Sequence, residues 1–290
     1  MNRICYEKND LGKVFALTVG VALAVSLVLS AIFTKSATDS LQFWLTQAFY
    51  TLAIGSVAPL YALIAKTNFV SATKLKSKPP LTHVLWGVLT AAFLIMLMLP
   101  LNELILDGIK ALGLKRPTVS LENHMDVVPM VIVSCFVASF CEELTFRGTL
   151  ASGLSQSKNG VGAVLASGVL FALFHMNPAQ TLHQFALGSL MTLFFFRSDS
   201  LWTSIAIHLF NNLAAVVMTF TLPTNFAETN RIWLIIVGAI GVALSLTLYL
   251  KLTSSRRKTA EQPKPETFSI VALSTAICLC LAVWITSLLG

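Results

Sequence analysis

Two adjacent carboxylates, Glu142 and Glu143, close an apolar run from Val127 to Cys141, and Arg147 follows Glu143 by four residues. Ionisable groups at membrane depth cost about 3 kcal/mol each even on mild insertion scales, so they persist where they pair, line a wet cavity or do chemistry. On a helix, Glu143 and Arg147 share a face and read as a structural ion pair. Glu142 points about 100° away from that face and is the residue that needs a chemical explanation. Two further polar groups interrupt later apolar runs: Phe171 and His175 one turn apart, and His208 and Asn212 one turn apart. A carboxylate, two imidazoles and a carboxamide are the parts of a hydrolytic site. Glu142 would take a proton from water, and a histidine would orient water or donate a proton. An imidazole N–H with the Asn212 amide would stabilise an oxyanion. The set Glu142, His175 and His208 is equally a candidate zinc site with an open position. A proton-coupled transport site, or histidines merely hydrogen-bonded in a core, remain alternatives on residue types alone. His83 and His124, near a run's start and in a loop, read as interfacial or solvated, and His183 takes no role.

The elements that must position these groups are membrane helices. The 290 residues are 56% hydrophobic and 11% charged, with mean hydropathy +0.78, which places the chain among all-α polytopic membrane proteins. Nine apolar runs approach spanning length, at about 14–33, 45–65, 83–106, 127–150, 160–176, 181–196, 201–221, 232–251 and 268–288. The fifth and sixth are short, so eight to nine spans are expected. Without a repeat or low-complexity segment, they form one membrane domain. Residues 1–126 supply plain helices and a polar loop, 127–221 the polar-studded core, and 222–290 two further helices. The first run, followed by no small-residue cleavage site, reads as a retained anchor.

Charge placement gives an orientation. With the N-terminus inside, inner segments hold 15 of the 20 lysines and arginines, which predicts a multi-pass protein of the cell membrane with cytoplasmic N-terminus and outer C-terminus. The basic stretch from Lys251 to Lys264 then meets anionic headgroups, and nothing points to nucleic acid. Five scattered cysteines give neither a disulfide framework nor a CxxC zinc pair. In this topology loops 154–160 and 197–200 share one side. Counting from them at ~1.5 Å per residue puts Glu142 ~18 Å deep, His175 ~22 Å, His208 ~10 Å and Asn212 ~16 Å. The four groups can therefore reach a common depth.

The three segments resemble the motifs of the CPBP family of intramembrane proteases, which takes in CAAX prenyl endopeptidases and bacteriocin-processing or immunity proteins. The family pattern is Glu-Glu-x-x-x-Arg, Phe-x-x-x-His and His-x-x-x-Asn or a similar residue. Here it reads Glu142-Glu143 to Arg147, Phe171 to His175 and His208 to Asn212, in order and without departure. The resemblance covers about residues 127–220 and implies an endopeptidase acting on a membrane protein or peptide in or at the bilayer. It makes Glu142 the water-activating base, His175 a second catalytic group, and His208 with Asn212 the pair facing the substrate carbonyl. Glu143, Arg147 and Phe171 are supporting positions. The family reading leaves both a metal-free and a metal-dependent mechanism open, and includes members known for immunity or scaffolding, so a non-proteolytic role is the alternative.

Overall fold

Long unbroken apolar runs with few helix breakers leave the backbone one way to satisfy its polar groups in lipid, the helix. The structure, a computed structural model, describes residues 5–32, 40–114, 126–154, 160–256 and 266–289. Its long helices are α1 (Lys8–Ile32), α2 (Ser40–Ile64), α3 (Leu81–Ala111), α4 (Val127–Leu154), α5 (Gly160–Phe174), α6 (Thr181–Ser198), α7 (Leu201–Thr221), α8 (Arg231–Leu252) and α9 (Thr267–Leu289). Single helical turns stand at Phe69–Ala72 and Phe226–Thr229, and the described residues include no strand. The all-α polytopic membrane class therefore stands.

The expected count does not. Among the described residues, seven helices are long and apolar enough to cross a membrane: α1 to α4 and α7 to α9. α5 is apolar but has 15 residues, about 22 Å of helix against a hydrocarbon core of about 30 Å. α6 has 18 residues but carries His183, Gln184 and Arg197, which dilute its apolar character. His124 and most of the basic stretch after Arg256 lie outside the described residues.

The chain divides into two compact units. The first takes α1, α2, α4 and the part of α9 up to Ala276. Its helices approach closely where glycine permits. A Cβ on Gly55 would stand 2.6 Å from Cys141 Sγ, so α2 lies hard against α4. Asp10, buried near the start of α1, accepts from the Tyr61 hydroxyl of α2 at 2.7 Å and caps its own chain through the Glu7 amide at 2.8 Å.

The second unit takes α3, α5 to α8 and the end of α9. α3 packs along α8 because Gly238 and Gly241 leave room for Leu97 and Phe93, where a Cβ would meet atoms at 2.6 and 2.2 Å. α5 and α6 form a hairpin on the same principle: a Cβ on Gly168 would collide with Ser189 Oγ at 2.1 Å and the Phe185 carbonyl at 2.8 Å. Thr192 adds a hydroxyl bond to Ser167 across that seam, at 2.9 Å. Small residues make such contacts the main attraction between helices in lipid. His83 is a core residue here, contrary to the solvated reading. It is 4% exposed and bonded through Nδ1 to the Tyr249 hydroxyl at 2.8 Å, because α8 crosses the start of α3.

Candidate active site

The candidate residues occur in both units. In the first, α4 carries Glu142, Glu143 and Arg147. Glu143 and Arg147 are 0% exposed, and Arg147 Nη1 donates to Glu143 Oε1 at 2.7 Å, as the four-residue spacing requires. Glu142 is half-buried. The two carboxylates therefore occupy different environments one residue apart, the inner neutralised by its arginine and the outer nearer the helix surface.

α4 is not a uniform helix. Ala138–Glu143 is α-helical, whereas Val131–Val137 before it and Leu144–Ala151 after it are π-helical. The wider turn is matched by side chains: Thr149 Oγ1 donates to the Leu144 carbonyl at 3.1 Å and Ser152 Oγ to the Arg147 carbonyl at 3.2 Å, each reaching back five residues. Thr145 Oγ1 ties the second π segment to α2 through the Ile54 carbonyl at 3.2 Å. Such turns are rare and concentrate at functional sites.

In the second unit α5 ends at Phe174, and His175 follows at its C-terminus. His175 Nδ1 donates to the Phe171 carbonyl at 2.8 Å, so a neutral ring carries its lone pair on Nε2. Phe171 is fully buried and meets both motif histidines edge-on. Its centroid lies 4.7 Å from His175 at 70° and 5.9 Å from His208 at 85°. Gly188 of α6 makes space for that ring, since a Cβ there would stand 3.0 Å from Phe171 Cδ1. One aromatic thus brings together two histidines from helices 33 positions apart in sequence.

Asn212 is half-buried one turn beyond His208 on α7. Its neighbour Asn211 is 6% exposed and donates from Nδ2 to Asn212 Oδ1 at 3.1 Å. His183, in the first turn of α6, donates from Nε2 to Asn211 Oδ1 at 3.1 Å. Neither His183 nor Asn211 stands out as a site residue in the sequence. The contact joins residues 28 positions apart, and the only local signal is the doubled amide Asn211-Asn212.

A zinc centre needs three converging protein ligands or more. Within neither unit do three His, Cys, Asp or Glu side chains among the described residues gather to hold a metal ion. Neither half by itself fits the zinc set named from the sequence.

Comparison with known proteins places this core. Residues 124–214 match the family model "Type II CAAX prenyl endopeptidase Rce1-like". Over 132 residues the chain is 29% identical to a Bacillus subtilis (strain 168) protein named "Putative membrane peptidase YdiL". That alignment covers 43% of this chain and 54% of the relative, so the chain spans about half the relative's length. No solved structure matches. Both matches support the resemblance drawn from the three motifs, and the matched segment holds all of them.

Proposed function

We propose that this chain, whose residues 124–214 match the type II CAAX prenyl endopeptidase Rce1-like family model, is an intramembrane endopeptidase that hydrolyses a peptide bond of a membrane-associated protein or peptide. The observation that carries the reading is the joint seating of His175 and His208 against Phe171, inside the segment that matches the family model. Motif spacing alone would also suit unrelated core histidines. A shared buried aromatic that fixes both rings is what a site would require.

In this mechanism Glu142 accepts a proton from water, and the hydroxide oxygen bonds to the scissile carbonyl carbon. Charge moves to the carbonyl oxygen, where an imidazole N–H of His208 and Nδ2–H of Asn212 donate to it. His175 presents the Nε2 lone pair, suited to orienting the attacking water. The C–N bond then breaks, and the proton held by Glu142 passes to the leaving amine. Glu143 and Arg147 act at a distance from the reacting atoms by holding α4 in place. No step needs a metal.

The test compares membrane proteomes of cells carrying the native protein with cells carrying Glu142→Gln. The expected result is a membrane-associated precursor that accumulates uncut only with the variant. An unchanged set of N- and C-termini would remove the peptidase reading and favour an interaction role.

A further inference from the structure

The hydrogen bonds on α6 and α7 have a direction. Asn211 Oδ1 can only accept, so the 3.1 Å contact requires His183 Nε2 to carry the hydrogen. Asn211 Nδ2 then donates to Asn212 Oδ1, also at 3.1 Å. Each bond leaves the next amide in a fixed orientation, and the last engages the Asn212 oxygen. A carboxamide whose oxygen is not held can turn over and offer an acceptor where a donor is needed.

We propose that His183 and Asn211 are positioning residues which orient the Asn212 amide as an oxyanion donor. This rests on the peptidase reading above. The relay is His183 N–H to Asn211 oxygen, Asn211 N–H to Asn212 oxygen, and Asn212 N–H to the substrate carbonyl. Hydrogen bonds in a chain polarise one another in a poor dielectric, so the terminal donor gains strength as well as direction. The relay also explains why α6, the most polar of the long helices in its unit, keeps a histidine in its first turn. The turn is anchored there by Asn177, whose side chain accepts from the Ala179 amide at 2.9 Å, and by Trp284, which donates to Thr181 Oγ1 at 2.8 Å.

The experiment uses the full chain in lipid nanodiscs and, as substrate, a quenched peptide copied from the precursor that accumulates with Glu142→Gln. His183→Leu is expected to lower kcat about a hundredfold with KM unchanged, the mark of an interaction made only in the transition state. His183→Gln, whose side-chain amide supplies an N–H near the position of Nε2, is expected to recover most of that loss. A role in folding alone would instead lower the folded fraction and leave kcat per folded molecule unchanged for His183→Leu. ¹⁵N spectra of histidine-labelled protein give a second readout independent of substrate. His183 should appear as the Nε2–H tautomer, shifted in Asn211→Leu, while His175 appears as the Nδ1–H tautomer. Should Glu142→Gln leave no precursor, the peptidase reading falls and the positioning role falls with it. Should Glu142 prove necessary while His183→Leu turns over normally, or His183 carry its proton on Nδ1, the positioning role alone is overturned.

Discussion

Glu142 and Glu143 are neighbours with different expected failures. Glu143 and Arg147 are fully buried and share a 2.7 Å bond, so removing one partner strands a charge at a cost of about 3–5 kcal/mol. Glu143→Ala is therefore expected to depress folded yield and thermal stability in detergent. The double variant Glu143→Leu/Arg147→Met should regain much of that stability, because a well-packed apolar pair replaces a buried ion pair at little cost. A double variant no more stable than Glu143→Ala would show that the pair does more than neutralise itself. Glu142→Gln preserves shape on a half-buried position and should melt like the native protein while cutting nothing. Retained cleavage would take the role of base away from Glu142. The proposed mechanism also predicts full activity after exhaustive chelation. Loss of cleavage on chelation, restored by zinc in proportion to metal bound, would put Glu142, His175 and His208 into a coordination shell instead.

At the scale of elements, the α5–α6 hairpin is the part on which the histidines depend. At Gly168 and at Gly188 the helices nearly touch, and Gly188 borders the ring of Phe171. Gly168→Val has no room, with Ser189 Oγ and the Phe185 carbonyl both inside 3 Å of its Cβ. Overpacking of this kind costs about 1–3 kcal/mol. Because the displaced helix carries Phe171, the expected result is a larger loss of activity than of stability. Equal losses in both, measured by melting and by precursor cleavage, would show that the hairpin only stabilises the fold. Phe171→Leu tests the same point from inside: it keeps an apolar side chain but removes the ring that meets both imidazoles, and kcat should fall while the protein stays folded.

At the scale of the molecule, the basic residues predict which end faces where. Arg147 drops out of that charge count, because it is a buried partner of Glu143 within α4 and not a loop residue. The remaining bias still predicts that residue 74 faces the cytoplasm and residue 287 the outside. Single cysteines at these positions in a cysteine-free background provide the check with a membrane-impermeant reagent on intact cells. Label at 287 and none at 74 is expected; the reverse pattern would invert the orientation.

The amino-acid sequence by itself determined the class, because 56% apolar residues in spanning-length runs leave a chain in lipid no alternative to helices. It also determined the Glu143–Arg147 pair, since a four-residue spacing on one helix is a local relation. The three motifs, being short local patterns, were legible with their order. What lay beyond it was every relation between helices and every departure from the ideal period. Among the described residues, seven helices are long and apolar enough to cross a membrane against nine apolar runs, because the helix ends leave α5 short and α6 polar. The π-helical segments on either side of Ala138–Glu143 correspond to no period in the residues. The contact of Phe171 with both histidines, and the line from His183 through Asn211 to Asn212, exist because Gly168 and Gly188 let α5 and α6 close together and α7 lies beside them. Hydrogen bonds between side chains 28 residues apart have no period to betray them, so only the tertiary structure could name His183.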